Sequence, residues 1–270
     1  MSPLMQMRLK RFKENKLGFA CLILFALIFI LSLASELIAN DKPLLVKYDD
    51  SLYVPVFKSY PETTFGGVFE TEADYKDPVV QQFISHNGWA LWPLIEYSYQ
   101  TPNLELAVPV PSAPTAQNWL GTDDQGRDVL ARILYGLRVS LLFGFALTFA
   151  SAILGIMVGA IQGYYGGWVD LLGQRILEVW GGLPTLFMVM ILVSMFTPNV
   201  YWLFLIMLCF GWTTLVGLVR AEFLKARNLD YVRAARGLGV SDRTIMFRHI
   251  LPNAMSSSLS QLPFMLTANI

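Results

Sequence analysis

Five long segments of this chain contain no Asp, Glu, Lys or Arg, and they limit its possible folds more than any other feature. They cover residues 17–35, 139–161, 179–196, 200–219 and 253–270, and the last is the most polar of the five. A membrane-spanning helix needs roughly 20 mostly apolar residues with few charges. One such segment could be a buried helix of a soluble protein, but five predict a polytopic membrane protein. The first segment is too long and too apolar for a signal-peptide core, so we interpret it as a retained span.

The composition supports this class and excludes three others. Hydrophobic residues make up 54% of the chain and charged residues 15%, with 20 basic residues balancing 20 acidic ones. Soluble domains usually carry about 25% charged residues, and disordered chains combine low hydrophobicity with high net charge. The balance also argues against a strongly basic nucleic-acid binder. We therefore expect neither a soluble enzyme nor a disordered chain, and no nucleic-acid partner.

The charges between the spans predict the topology. Residues 1–16 hold five basic residues and one acid, residues 40–137 hold 13 acids and six bases, and residues 220–252 hold seven bases and three acids. Basic residues concentrate on the cytoplasmic side of a membrane. This places the basic N-terminus (1–16) and the 220–252 loop inside, and 40–137 outside as a periplasmic insert. The predicted spans are 17–39, 139–161, 177–196, 200–219 and 253–270, the last four forming with their loops a core of residues 138–270.

The outer insert is too long for a simple connection. Its 98 residues include 14 aromatic side chains, and Pro and Gly recur along it. This composition indicates a small, turn-rich domain rather than long helices. Its negative charge fits either a solvated surface or a surface that meets a basic ligand or a delivery protein.

Small residues recur every four positions in the second span, at Ser151, Gly155, Gly159 and Gly163. Such rows allow two membrane helices to approach closely, so we predict helix packing here. The charge-free spans lack the ionisable groups that ion-coupled carriers usually need. The energy for any transport is therefore expected to come from another protein.

The sequence predicts no catalytic residue, no metal site and no cofactor of its own. A phosphate-binding loop of the G-x-x-x-x-G-K-[ST] type is missing, because none of the eight lysines follows a glycine. Cys21 and Cys209 both lie within spans, where small apolar packing is the expected role.

The inner loop contains two short helices separated by a sharp turn. Residues 230–238 fit a helix with Val232, Ala235 and Leu238 as its apolar positions. Gly239 stands where a left-handed C-cap residue belongs. Ser241 is placed to cap a second helix that carries Asp242 in its first turn. Four arginines surround the pair: Arg233, Arg236, Arg243 and Arg248.

This loop resembles the EAA loop, the signature cytoplasmic loop of ABC importer permeases. The matching residues are Ala234, Ala235, Gly239, Leu251 and Pro252, while Arg233 replaces the family's glutamate and His249 stands where isoleucine is common. The resemblance implies that residues 230–252, with Arg233 among them, form coupling helices that dock into a groove on a separate ATPase subunit.

Other stretches narrow the resemblance to di- and oligopeptide permeases. The segment before the second span matches their G-T-D-x-x-G-R-D pattern through Gly121, Thr122, Asp123, Gly126, Arg127 and Asp128. Residues 163–170 (GYYGGWVD) and 175–184 resemble the same group, with Glu178 where Asp is more usual. Residues 35–49 and the long insert are similar to the permeases of Yej-type importers, which take up peptides and microcin C.

The resemblance implies an all-α polytopic membrane protein: a type I (MetI-like) permease helix bundle with an extra turn-rich periplasmic insert. The expected place is the bacterial inner membrane, with the N-terminus in the cytoplasm. The expected partners are a second permease subunit, cytosolic ATPase subunits that bind the ATP, a periplasmic peptide-binding protein and membrane lipid. The family has six spans and this chain stops at Ile270, so we expect it to be incomplete.

Two other classes stay open from the residues alone. A stand-alone channel or ion-coupled carrier would work without an ATPase. A membrane enzyme or signalling anchor with an outer sensor domain would need a catalytic cluster or an output domain. The basic N-terminal run fits either a topology signal or a segment lying on anionic lipid.

Overall fold

The computed structural model describes residues 3–104, 106, 108–197 and 199–270, and most of them are helical. The chain forms two compact units, Met1–Val139 and Ser140–Ile270. The helices are α1 (Pro3–Glu14), α2 (Lys16–Leu33), α3 (Ser35–Ile38), α4 (Pro78–Asn87), α5 (Val129–Tyr165), α6 (Gly167–Gly181), α7 (Thr185–Met195), α8 (Val200–Gly211), α9 (Thr213–Ala226), α10 (Asp230–Gly237), α11 (Asp242–Thr244) and α12 (Leu251–Asn269). The strands are β1 (Leu45–Tyr48), β2 (Ser51–Tyr53) and β3 (Gly88–Leu91), and Glu62–Phe65 and Ile245–Ile250 form a 3₁₀ turn and a π-helix.

Helix α2 begins at a cap. The Asn15 side-chain oxygen accepts a hydrogen bond of 3.1 Å from the Gly18 N–H, which satisfies one of the free donors of the first turn. Most side chains beyond it are exposed in the chain, Leu24 and Ile30 among them. An apolar helix with exposed leucines on several faces is suited to a lipid environment.

The insert is built on a small antiparallel sheet with strand order β2-β1-β3. Strand β1 directs Val46 and Tyr48 into a core with Val80 and Ile84 of α4, and Phe65 lies at its centre. Four tyrosines pack edge-to-face against one another or against Phe65: Tyr48, Tyr53, Tyr60 and Tyr75. The insert therefore forms a folded domain, as its composition predicted. The domain also contains a small sheet that the sequence pattern did not indicate.

The second unit is helical throughout its regular structure. Over the residues that the structure describes in the two units, three helical stretches are long and apolar enough to cross a membrane: Lys16–Leu33, Val129–Tyr165 and Val200–Ala226, the last comprising α8 and α9. If the pair α6 and α7 counts as one broken span, the number of candidate spans among the described residues rises to four. Helix α12 occupies the fifth predicted segment and is not among them, which fits its more polar composition.

The third predicted span, 177–196, is not a single helix. Helix α6 starts earlier, and it ends at Gly181 before a bend of 74° that leads into α7. Pro184 lacks an N–H to continue a helix, and Gly182, two residues earlier, lowers the helix propensity further. The inner loop also begins later than the predicted residue 220, because α9 continues through Ala226.

Candidate functional site

The candidate site is the knob that follows α9, formed by α10, α11 and the π-helix. Helix α10 stands on α9 because Val232, which is fully buried, packs into one cluster with Val219 and Phe223. Ile245, Met246 and Ile250 of the π-helix complete the same cluster, with Tyr164 from the end of α5. The knob is thus joined to membrane helices by a continuous apolar core.

Gly239 ends α10 in the predicted way. Its φ is +77°, the left-handed conformation that favours glycine. The Gly239 N–H donates to the Arg236 carbonyl (3.0 Å) and the Val240 N–H to the Ala235 carbonyl (3.1 Å). Within the described residues a Cβ at Gly239 would have no neighbour inside 4 Å, so the backbone conformation, and not space, requires the glycine.

The second helix differs from the prediction at its cap. Ser241 has the backbone of an N-cap residue and its carbonyl accepts from the Ile245 N–H (3.0 Å), but its side chain caps no backbone N–H in the described structure. Its hydroxyl lies 2.9 Å from the Thr244 hydroxyl instead. The helix then runs without interruption from α11 through the π-helix into α12. The wide π turn precedes Pro252, whose missing N–H cannot continue the α-helical pattern.

Tyr164 links the end of α5 to both parts of the knob. Its hydroxyl donates to Asp242 Oδ1 (2.5 Å), and its ring faces the Arg236 guanidinium at 5.4 Å. The hydrogen bond with Tyr164 and the nearby Asp242 raise the pKa of Arg236 above its ordinary value. One aromatic side chain therefore joins α5, α10 and α11.

The outer surface of the knob combines exposed apolar and basic side chains. Leu238, which the sequence groups with Val232 and Ala235 as an apolar position of the helix, is 84% exposed. At 100° per residue, position i+6 lies 240° around the helix from position i, and the helix ends before Leu238 in any case. Of the predicted coupling residues, Arg233, Ala234, Gly239 and Pro252 are exposed, and Ala235 and Leu251 are half-buried against the core. Tyr231, Phe247, Arg236, Arg243 and Arg248 are also exposed.

The row of small residues on α5 lies against α8 and α9. A Cβ built on Gly155 would lie 2.6 Å from the Trp212 carbonyl oxygen, and one on Gly159 would lie 2.7 Å from that of Val216. One on Gly163 would lie 2.5 Å from the Arg220 carbonyl oxygen, and one on Gly211 of α8 would lie 2.9 Å from the Ser151 hydroxyl oxygen. The backbone of Trp212 and α9 therefore occupies the space that side chains at the three α5 glycines would need.

The family-like segment before α5 forms a folded turn that starts this helix. Asp128 is buried and its carboxylate accepts from the Ala131 N–H (2.7 Å) and from Asn118 Nδ2 (2.8 Å). The Thr122 hydroxyl accepts from the Ser112 N–H (3.0 Å). Gly121 and Gly126 both have positive φ, at +76° and +78°.

Asp123 organises the same turn through its charge. Desolvation acts to raise its pKa, but hydrogen bonds from the Arg127 side chain and from the Arg127 and Gln125 N–H groups outweigh it. They hold the pKa of Asp123 well below its usual range. These hydrogen bonds stabilise the turn before α5. Over the described residues there is no group of three or more His, Cys, Asp or Glu side chains that could hold a metal ion.

Comparison with known proteins matches two parts of the chain to described families. Residues 139–270 match the family described as "Binding-protein-dependent transport system inner membrane component". Residues 2–56 match the "N-terminal TM domain of oligopeptide transport permease C".

Individual relatives agree with both matches. The "Inner membrane ABC transporter permease protein YejE" of Escherichia coli is 55% identical over the whole chain, which covers 79% of that protein. The "Peptidoglycan transport system permease protein YejE" of Agrobacterium fabrum is 48% identical over the whole chain, which covers 77% of it. The "Oligopeptide transport system permease protein OppC" of Bacillus subtilis is 34% identical over 163 residues, 60% of this chain and 52% of that protein.

Proposed function

Since the chain belongs to the family of inner membrane permease components of binding-protein-dependent ABC transport systems, we propose that it is the permease subunit of an ATP-driven peptide importer. The proposal rests most directly on the knob, an exposed leucine and four arginines mounted on a rigid apolar core. Relatives named for oligopeptide and peptidoglycan transport support a peptide substrate. Free peptides, peptide antibiotics of the microcin C kind and cell-wall peptides all belong to this class.

The knob is the coupling element in this proposal. Cytosolic ATPase subunits bind and hydrolyse the ATP, and their closure displaces α10. Val232 and Phe223 pass the displacement to α9, because a close-packed core moves as a unit. The chain itself performs no covalent chemistry and needs no cofactor. A second permease subunit completes the path, and a peptide-binding protein delivers substrate from outside.

The exposed surface of the knob fits an ATPase groove of mixed character. Leu238 would enter an apolar pocket, while Arg233 and Arg236 would meet acidic or carbonyl groups at the rim of the groove. Interfaces draw most of their energy from a few residues near the centre, enclosed by contacts that exclude water. Leu238, as the most exposed apolar side chain of the knob, is the residue chosen to test docking.

The test is Leu238→Glu in the complete complex, with Leu104→Glu as the matched control. Leu104 is 88% exposed but lies in the insert, so the two variants add the same charge at equally exposed leucines. We expect L238E to reduce co-purification of the ATPase at least tenfold and to abolish ATP-dependent peptide uptake, with L104E unchanged. Equal ATPase recovery in both variants would refute docking through Leu238. Uptake by the purified chain alone under a proton or sodium gradient would favour the stand-alone carrier instead.

A further inference from the structure

Helix α6 is attached to the rest of its unit in an unusual way. Among its residues, all of which the structure describes, none is buried. Asp170, in the first turn of α6, forms a bidentate ion pair with Arg220 of α9, one bond of which is 2.7 Å long. Gln174 Nε2 donates to Gln162 Oε1 of α5 (2.8 Å), and Trp180 Nε1 donates to the Cys209 carbonyl (2.9 Å). These polar contacts, and the Trp180 ring stacked on Phe210 of α8 with 5.7 Å between centroids, position α6 where buried side chains usually would.

The ion pair stands at the base of the knob. Arg220 lies one turn before Phe223, the side chain on which Val232 of α10 packs. The Arg227 guanidinium covers Gly166, the residue that connects α5 to α6, closely enough to leave no room for a Cβ there. Arg220 and Arg227 are two turns apart, and both lie against the start of α6. Helix α9 therefore contacts α6 near the end of α9 that carries the knob.

The other end of α6 leads into the bend. Between Gly181 and Thr185 the chain turns by 74° and enters α7. A displacement of the start of α6 therefore acts on a broken span, whose two halves can reorient at the bend more easily than a continuous helix could. The ion pair connects this span to α9 directly, and at the same time α10 connects α9 to the cytosolic surface.

We propose that the Asp170–Arg220 ion pair transmits the displacement of the knob to α6 and, through the bend, to α7. This inference rests on the proposed function. Both side chains are largely shielded, with 17% of Asp170 and 28% of Arg220 exposed, so the attraction is screened less than at a free surface. A guanidinium and a carboxylate in bidentate contact also fix orientation as well as distance. They are positioning residues for transport, and they touch neither substrate nor nucleotide in this role.

The chain offers a matched control on the same helix. Arg175 and Glu178 also form an ion pair, but both belong to α6 and both are exposed. Neutralising that pair removes the same two charges without releasing α6 from α9. The double variant D170N/R220Q removes the connecting pair without leaving one charge unpaired, which single replacements would do.

The experiment compares D170N/R220Q with R175Q/E178Q in the complete complex reconstituted in lipid vesicles. ATPase co-purification, ATP hydrolysis and peptide uptake per ATP are measured together. We expect both variants to assemble and hydrolyse ATP, with uptake per ATP at least tenfold lower in D170N/R220Q and within about twofold of wild type in R175Q/E178Q. Equal uptake per ATP in the two variants would overturn the inference.

Should D170N/R220Q fail to assemble, the exchanged pair D170R/R220D decides the matter. Uptake per ATP within about threefold of wild type supports an ionic connection. If the exchanged variant assembles and hydrolyses ATP but its uptake per ATP stays tenfold below wild type, the inference is overturned. It is also overturned if the exchanged variant does not assemble, because the ion pair then serves folding only. Failure of the proposed function is seen separately, as wild-type complex that shows no ATP-dependent uptake.

Discussion

Adding one methyl group at Gly159 tests the close approach of α5 and α9. A Cβ at this position would lie 2.7 Å from the Val216 carbonyl oxygen, 2.9 Å from Val219 Cβ and 3.2 Å from the Arg220 nitrogen. Two of these atoms belong to the α9 backbone, which cannot rotate away as a flexible side chain could. Gly159→Ala must therefore push the two helices apart.

The size of the effect follows from a comparison with Gly136, on the same helix. Inside the described part of the chain a Cβ at Gly136 would meet nothing within 4 Å. Each Gly→Ala change in a helix interior adds about 0.5–1 kcal/mol of stability through the backbone. This gain cancels when the two variants are compared, which leaves the overpacking cost of about 1–3 kcal/mol. Because α5 and α9 also frame the knob, G159A should loosen the whole second unit.

The measurement is thermal unfolding of both variants in the same lipid nanodiscs, at one heating rate. A difference of 1 kcal/mol corresponds to roughly 2–4 °C in a protein of this size. We expect G159A to unfold below wild type and G136A at or above it. A G159A variant as stable as G136A would show that α5 and α9 are not in backbone contact, and the reasoning would fail.

Two further predictions concern the knob and the turn before α5. Gly239→Val forces a β-branched residue into a left-handed conformation at a cost of about 1–2 kcal/mol, so ATP-dependent uptake should fall. Gly237→Ala, at the end of α10 where a Cβ would meet no described atom within 4 Å, should keep uptake, and equal uptake in both variants would contradict the C-cap. The pKa of Asp123 is lowered by folding, so its contribution to stability is present above its unfolded pKa of about 3.9 and is lost as the pH falls towards the folded value. The unfolding midpoint of wild type should therefore exceed that of Asp123→Asn at pH 6, and the gap should narrow as the pH falls below about 4. A gap that stays constant with pH would contradict the ionised Asp123 carboxylate as its cause.

Much of the candidate site followed from local patterns. Gly239 was recognisable because a glycine after an amphipathic run is the usual left-handed end of a helix, and its φ of +77° agrees. Leu238 was predicted as the last residue of this helix and one of its apolar positions, but the helix ends at Gly237. The exposure of Leu238 was foreseeable from helix geometry alone, because position i+6 lies about 240° around a helix from position i. This angle is the signal that would have found it.

The insert shows a different limit. Its sheet joins β1 to β3, so Val46 pairs with Ala90 across more than 40 intervening residues. The strands are three or four residues long, too short for a clear alternation of apolar and polar positions. Such pairing depends on which segments meet in space, and a pattern along the chain does not record it.

The sequence by itself determined the membrane class, the family resemblance and the row of small residues on α5. Each of these depends on single segments, because excluding charge from lipid and permitting close helix contact are properties of the residues in one stretch of chain. Tertiary structure alone decided the pairing of β1 with β3 and the partner of Asp170. An ion pair between residues 50 positions apart forms only where packing brings two helix faces together. That packing depends on all the helices of the unit at once.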